Sequence, residues 1–382
     1  ASIQSIIGAA TQPKAVSLAV VVAQILIFSH LLEQSGQMKR MLSAFEGIIA
    51  NARINLVIFP ALIGLLPMPG GAVFSAPMVK TLGRRADIAG DQLSFINYWF
   101  RHIWEYWWPL YPGILLAAGL SGVGLDRLMA VMCVFSLLAL ALGFARISRY
   151  PLPKTGGRNG QPPRKPAAPF IKELLPIVFV IVFGLGIGSL LTMLFDGLSV
   201  SKEAGLVIAL FIGIYWVWRA NRMPLGQLRK IVFNVRLVRM IYMLLAIFVF
   251  KGILEDSGAI DAIASELLYL KIPILAIAVL LPFFVGIITG ITVAVVGAAF
   301  PILMPLIDAA ATGHWVLPYV MVALSCGFVG VLLSPLHLCL LLSNEYFSTD
   351  MKAVYPHLWW PCFIIAAAAF PYFFILMGIA TL

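Results

Sequence analysis

Three groups of residues in this chain could do chemistry, and all of them stand in apolar surroundings. The run from 92 to 120 holds Arg101, His102 and Glu105; the run from 316 to 344 holds Ser334, His337 and Asn344. The third group lies in two long apolar stretches, 54–79 and 276–301, which carry Gly70, Gly71 and Ser75, and Thr289, Gly290 and Thr292. A charge at the middle of a bilayer costs at least about 2.5 kcal/mol, so it faces a cavity or a partner. Arg101 suits an anionic solute, because a guanidinium stays charged and presents a planar set of donors. His102 is the candidate proton carrier, since histidine titrates at about 6.5 when unperturbed. Arg101 and Glu105, four apart, could instead pair with each other on one helix face. The glycines and threonines offer amides and hydroxyls at helix ends, which suit an anion; they also suit plain hairpin turns. Ser75 and its counterpart Gly297 fit close helix packing as well. Ser334 and Asn344 can bind a solute or satisfy the fold. Trp99, Trp104, Trp107 and Trp108 would form an interfacial belt if their segment began at the membrane surface.

The elements that carry these residues are interrupted helices. Residues 54–79 are long enough to cross a bilayer as one helix, yet Pro67, Pro69, Gly70 and Gly71 fall at the centre and oppose a straight one. Two short helices meeting at an irregular tip fit better, as a re-entrant hairpin. Irregular backbone at that depth survives only where protein or a wet cavity satisfies it, so a broken hairpin points to a site. The second stretch repeats the first. Leu32-Glu33-Gln34-Ser35-Gly36 matches Leu254-Glu255-Asp256-Ser257-Gly258, and 254 minus 32 is 222. At that offset Phe28 falls on Phe250, Pro60 on Pro282, Gly64 on Gly286, Ala72 on Ala294, Val73 on Val295 and Ala76 on Ala298. Pro109 falls on Pro335 after four inserted residues. Glu33 and Glu255, at helix ends beside Ser-Gly, cap or pair.

Composition sets the class. The chain is 62% apolar and 11% charged, with a mean hydropathy of +1.00, far from a soluble domain. Its net charge of +10 gathers in short segments between apolar runs, which is the positive-inside pattern and not a nucleic-acid surface. Cys133, Cys326, Cys339 and Cys362 lie singly in apolar runs and read as small buried hydrophobes. Neither a metal set nor a catalytic constellation is expected; His337 and Cys339 lack further ligands at useful spacing. With no GxxxxGK[ST], HExxH or GxSxG motif, the chain reads as no ATP-driven pump and no enzyme.

The order along the chain is a first repeat over 1–148, a basic linker over 149–172, two plain scaffold helices over 173–219 and a second repeat over 220–382. The hairpins are expected at 54–82 and 272–306, and the broken spans at 92–120 and 316–344. Basic residues place the linker and the mouth of the first hairpin in the cytoplasm and leave the second hairpin opening outward. The copies are thus inverted, the sequence pointer to a secondary transporter whose solute binds where they meet. The offset lays connector 225–236 over residues 3–14, so the natural protein is expected to carry about two further helices ahead of this sequence, matching 174–219.

Gly64-Leu65-Leu66-Pro67-Met68-Pro69-Gly70-Gly71, the segment Asn97 to Pro112 and the tip Thr289-Gly290-Ile291-Thr292 resemble the ion transporter superfamily of citrate, gluconate, lactate, dicarboxylate and arsenite permeases. The chain is most similar to an uncharacterised archaeal and bacterial membrane family near the gluconate and citrate permeases. Neither tip carries the Ser-Asn-Thr of sodium-coupled dicarboxylate members. The resemblance implies an elevator-type symporter or exchanger, a homodimer in the inner membrane of a prokaryote. The expectation is therefore an all-α polytopic membrane protein with two inverted-topology repeats, each with a re-entrant hairpin and a broken transmembrane helix. It would move a small anionic solute such as an organic carboxylate, driven by a proton or sodium gradient, with a bound sodium ion or proton but no cofactor. A passive anion channel or an accessory subunit of a larger complex are the alternatives.

Overall fold

The structure, a computed structural model, describes residues 3–68, 70–84, 87–150, 165–194, 201–309 and 315–380. Pro69, Arg85 and most of the basic linker, 151–164, lie outside the described residues. Every element among those described is a helix, and eight helices are long and apolar enough to cross a membrane.

The first copy comprises α1 (Ile3–Thr11), α2 (Pro13–Gln34), α3 (Gln37–Phe45), α4 (Ala52–Gly64), α5 (Ala72–Arg84), α6 (Gly90–Arg101), α7 (Pro112–Ser121) and α8 (Leu125–Ile147). Next come α9 (Ala168–Leu194) and α10 (Ser201–Ala220). The second copy comprises α11 (Leu225–Val232), α12 (Val235–Asp256), α13 (Ala259–Tyr269), α14 (Ile274–Thr289), α15 (Thr292–Ala309), α16 (Val316–Leu333), α17 (Leu338–Tyr346) and α18 (Met351–Ala380). The helix starts reproduce the offset seen in the sequence. Ile3 and Leu225, Pro13 and Val235, Gln37 and Ala259, and Ala52 and Ile274 each begin partner helices 222 residues apart (225 minus 3). After a four-residue difference, Gly90 and Val316, Pro112 and Leu338, and Leu125 and Met351 begin partner helices 226 apart (316 minus 90). The fold is two inverted-topology repeats, each with a re-entrant hairpin (α4–α5, α14–α15) and a broken helix (α6–α7, α16–α17).

The Glu-x-Ser-Gly signature is the turn that ends α2 and α12. Gly36 at φ 73° and Gly258 at φ 66° take the left-handed conformation that a β-carbon resists. Ser35 and Ser257 each accept from the amide two residues on, at 3.4 Å. Glu255 pairs with Lys251 at 3.6 Å.

Packing separates two bodies. α2 packs on both α10 and α12, with α9 against α10 and α1 across α12. The hairpins and broken helices form the other body, with α16 at its centre, buried from Pro318 to Leu333. Exchange between copies holds this body together: α5 packs on α17, and α15 packs on α7. Asp91 of α6, His357 of α18 and Arg146 of α8 form a polar chain at 2.8 and 2.7 Å. Apolar side chains such as Phe211, Trp360 and Phe374 stay exposed on outer faces, which in a bilayer meet lipid.

The glycine shared by the hairpins has a packing reason. A β-carbon at Gly64 would overlap the carbonyl oxygen of Arg101, and one at Gly286 would overlap that of Gly327. Those carbonyls occupy equivalent places in the two copies, so each hairpin touches its broken helix backbone to backbone. We expect Gly286→Val to destabilise the protein by about 1–3 kcal/mol or more, as overpacked cores do. Gly186→Val, with nothing within 4 Å, should leave the melting temperature unchanged; equal melting of the two variants in detergent would refute the contact.

Candidate functional site

Both hairpin tips and both helix breaks meet around one cavity of about 290 Å³. α4 ends at Gly64 and α5 begins at Ala72, leaving a tip that contains Pro67, Met68 and Gly70. α14 and α15 are separated only by Gly290 and Ile291. Gly70 at φ 74° and Gly290 at φ 65° turn the chain through the left-handed region, the conformation glycine adopts most cheaply. α6 stops at Arg101 and α7 starts at Pro112; α16 stops at Leu333 and α17 starts at Leu338. Each stop leaves end carbonyls and first-turn amides without helical partners.

Side chains from the breaks take up those carbonyls. Trp104 Nε1 donates to Ala61 O at 2.8 Å, Trp108 Nε1 to Leu65 O at 3.0 Å and Tyr111 Oη to Gly64 O at 2.7 Å. The second copy repeats one of these bonds with a different residue: Ser334 Oγ donates to Ile287 O at 2.7 Å, and 334 minus 226 is 108 while 287 minus 222 is 65. The end of α16 is closed by His337 Nδ1 on Val331 O at 3.1 Å, Tyr98 Oη on Leu332 O at 3.0 Å and Tyr355 Oη on Leu333 O at 3.0 Å. The tryptophan segment thus packs against the hairpin. Trp99 is buried, and the indoles of Trp104 and Trp108 cap the hairpin.

Arg101, 3% exposed, is the charge at the centre. Its Nη2 donates to Met68 O in the first tip. Its Nη1 donates to Cys339 Sγ at 3.0 Å and faces His102 Nε2 at 3.4 Å. Nε has no partner. The alternative of an Arg101–Glu105 pair along one helix is not realised, because α6 ends at Arg101 and the four-residue spacing no longer sets one face. Glu105 instead accepts from Thr292 Oγ1 at 2.7 Å, tying the first break to the second tip. His102 and His337 approach at 3.1 Å between their Nε2 atoms. The amide ends of α7, α15 and α17 line the same cavity through Gly113, Thr292 and Cys339, and neither Tyr111 nor His337 caps its helix with a side chain. A guanidinium with no carboxylate partner among the described residues, beside uncapped helix N-termini, makes a pocket for a negative charge.

Arg101, His102, Glu105, Gly290, Thr292 and His337 line this cavity. Gly70 and Gly71 stand behind its wall: Gly71 packs on the Arg101 guanidinium and Gly70 on Leu342. Thr289 bonds back to Val285 O at 2.7 Å within its own helix. Ser75 and Asn344 belong to a separate buried polar cluster. Ser75 Oγ donates to Asn97 Oδ1 at 2.7 Å, Asn97 Nδ2 to Ser343 Oγ at 2.9 Å and to Ala72 O at 3.0 Å, and Ser94 Oγ to Asn344 Oδ1 at 2.5 Å. That cluster fastens α5 to α6 and α17. Sequence reasoning missed Asn97, Ser343 and Tyr111, and took Cys339 for a plain buried hydrophobe. Cys339 sits two residues after His337 at a helix start, and that position was its only signal. His102, His337 and Cys339 place three potential metal-ligating atoms within 4.8 Å of one another. A divalent cation there would lie against the Arg101 guanidinium, so the arrangement favours an anion.

A family described as protein of unknown function (DUF401) matches residues 5–375 of this chain. No curated protein matches it. In structure the chain is similar to the YdaH transporter of Alcanivorax borkumensis, whose crystal structure is described as revealing an unusual topology. The TM-score is 0.58 at 14% identity, covering 98% of this chain and 88% of that one. At that identity the likeness is one of fold.

Tyr111→Phe removes one oxygen and leaves the Gly64 carbonyl without that donor. An unsatisfied buried acceptor costs about 1–3 kcal/mol, so the variant should melt earlier than the native protein in detergent, and Ser334→Ala should do the same through Ile287. Unchanged melting in both would show that the breaks do not depend on these caps.

Proposed function

The chain belongs to the DUF401 family, and we propose that it is a secondary active transporter for a small anionic solute, an organic carboxylate, driven by a proton or sodium gradient. The observation that carries this reading is Arg101: a buried guanidinium, unpaired with any carboxylate among the described residues, in a cavity walled by both hairpin tips. A carboxylate docked there would meet Arg101 from one side and the amide ends of α7, α15 and α17 from the others, two kinds of positive potential at one point. Glu105, held by Thr292, keeps the empty pocket from carrying the full charge of the arginine.

The apolar part of the cavity wall supports an elevator mode. Leu26 of α2 and Met240 of α12 close the cavity there, and both helices belong to the body that carries the plain α9 and α10. A solute held between the bodies would move with the hairpins and broken helices as they slide past this apolar wall. Such a carrier fits the ion transporter superfamily and would work as a homodimer in the inner membrane, with its basic segments in the cytoplasm. Coupling follows from the membrane potential. Negative inside, it opposes uptake of each anionic charge by about 2.3 kcal/mol per 100 mV, which co-transported cations offset.

The test is thermal stabilisation of the purified protein by citrate, gluconate, lactate and succinate. A ligand that binds only the folded state adds about 2.7 kcal/mol of stability at a hundred times its dissociation constant. We expect at least one carboxylate to raise the melting temperature and Arg101→Ala to abolish that rise. Absence of any shift across the four would sink the carboxylate reading. Counterflow of the stabilising carboxylate in proteoliposomes then separates a carrier from a channel, since only a carrier accumulates label against its own gradient.

A further inference from the structure

The two histidines in the cavity wall are held in an arrangement that sets two neutral imidazoles lone pair to lone pair. His102 Nδ1 lies 2.6 Å from Tyr98 O, and His337 Nδ1 lies 3.1 Å from Val331 O. A carbonyl oxygen only accepts, so each Nδ1 must carry its hydrogen. In a neutral imidazole the other nitrogen is then a bare acceptor. Yet the two Nε2 atoms face each other at 3.1 Å, hydrogen-bond distance with a lone pair on both sides and no hydrogen between them. Both rings are buried, at 2% and 7% exposure, and are pinned by neighbours: Tyr98 packs on both, with ring centres 4.6 and 5.1 Å away. The rings therefore cannot turn apart without giving up their carbonyl partners.

We propose that His102 and His337 share one proton between their Nε2 atoms and that this pair is the coupling-ion site of the carrier. A hydronium ion reaching the His337 lone pair gives up one O–H bond as the Nε2–H bond forms and leaves as water; the new N–H then donates to His102 Nε2. His337 is the ring that holds the charge. His102 Nε2 already faces Arg101 Nη1 at 3.4 Å, whereas His337 shares the cavity wall with the carboxyl group of Glu105. The other titratable groups facing the pair are Tyr98 from α6, Tyr111 at the start of α7 and Cys339 from α17. The first tip and the walls from α2 and α12 bring only uncharged groups, Met68, Leu26 and Met240. In the empty pocket the proton adds a positive charge beside Arg101. With an anion bound, the same proton balances it, so proton and anion each favour the binding of the other, and reciprocally. One proton carried with each monoanion would make that cycle electroneutral. The coupling rests on the anion-carrier reading, whereas the shared proton itself rests only on the two rings and their carbonyls.

The experiment is solid-state NMR of the full chain, ¹⁵N-labelled at its five histidines, in lipid bilayers from pH 5 to pH 8. We expect one pair of Nε2 resonances joined by coupling through a hydrogen bond at the acid end. The coupling should fade as the pH rises and be absent from His337→Gln and His102→Gln. Since the coupling is seen in the native chain, misfolding of a variant does not decide the matter. Two unprotonated, uncoupled Nε2 resonances over the whole range would overturn the proposal. So would a paired signal that appears only with added zinc and is lost to a chelator, which would make the site a metal site. For the coupling, stabilisation by the same four carboxylates is titrated at pH 6, 7 and 8. A linked proton raises the apparent affinity by up to about tenfold per pH unit of acidification, and His337→Gln flattens that dependence. Equal affinity at all three values would overturn the coupling and leave the anion reading standing. A shared proton with no carboxylate response at any pH would instead sink the anion reading and leave the proton pair in place.

Discussion

A helix that stops inside a membrane leaves its last carbonyls and first amides without partners where no water reaches them, at several kcal/mol for each group left bare. The hairpins and breaks of this protein stop eight helix ends in that way, and the rest of the structure is arranged to satisfy them. Carbonyls are met by side chains: Trp104, Trp108 and Tyr111 on the end of α4, Ser334 on the end of α14, and Tyr98, His337 and Tyr355 on the end of α16. Amides are treated otherwise. At α7 and α17 no side chain caps them, and they are left toward the cavity. The asymmetry is chemical, since a row of open amides with Arg101 beside them attracts a negative charge, whereas open carbonyls would repel it.

The two copies share a backbone and divide the chemistry. Arg101 in the first copy stands where Gly327 stands in the second, and Glu105 where Val331 stands; His337 and Cys339 occupy the places of Tyr111 and Gly113. One copy therefore brings a fixed positive charge, a carboxylate and one imidazole, while the other brings the second imidazole, the thiol and the hydroxyl of Thr292. Only at the junction do these become a site, with Thr292 on Glu105 and His337 against His102. Equivalent positions can also do different work. Tyr111 caps the hairpin, where its counterpart His337 reaches a carbonyl with one nitrogen and the cavity with the other.

Close approach of backbones is the second condition. Gly64 and Gly286 let each hairpin lie directly on its broken helix, which sets the tips at the height of the breaks. The polar cluster of Ser75, Asn97 and Ser343 holds α5 to α6 and α17 without a charge, so that arm of the site can be buried at low cost. Between the hairpin body and α2 and α12 the cavity wall is apolar, through Leu26 and Met240.

Composition, the positive segments and the repeated Glu-x-Ser-Gly were enough to read a polytopic helical protein built from two copies, because hydropathy and helix breakers act locally and the offset needs only counting. The interruptions at Pro67–Gly71, Thr289–Thr292, Pro109 and Ser334-Pro335 were legible for the same reason. Arg101, His102 and His337 could be singled out as well, since polar groups in apolar runs must face something. What they face was decided by tertiary structure. No spacing in the chain brings His102 within 3.1 Å of His337, 235 residues away, or shows that Trp104 and Trp108 cap the end of α4. Nor could the four-residue spacing show that Arg101 and Glu105 stay unpaired, because that depends on α6 ending between them. Local signals place the breaks; only the packing of one copy on the other decides which groups fill them.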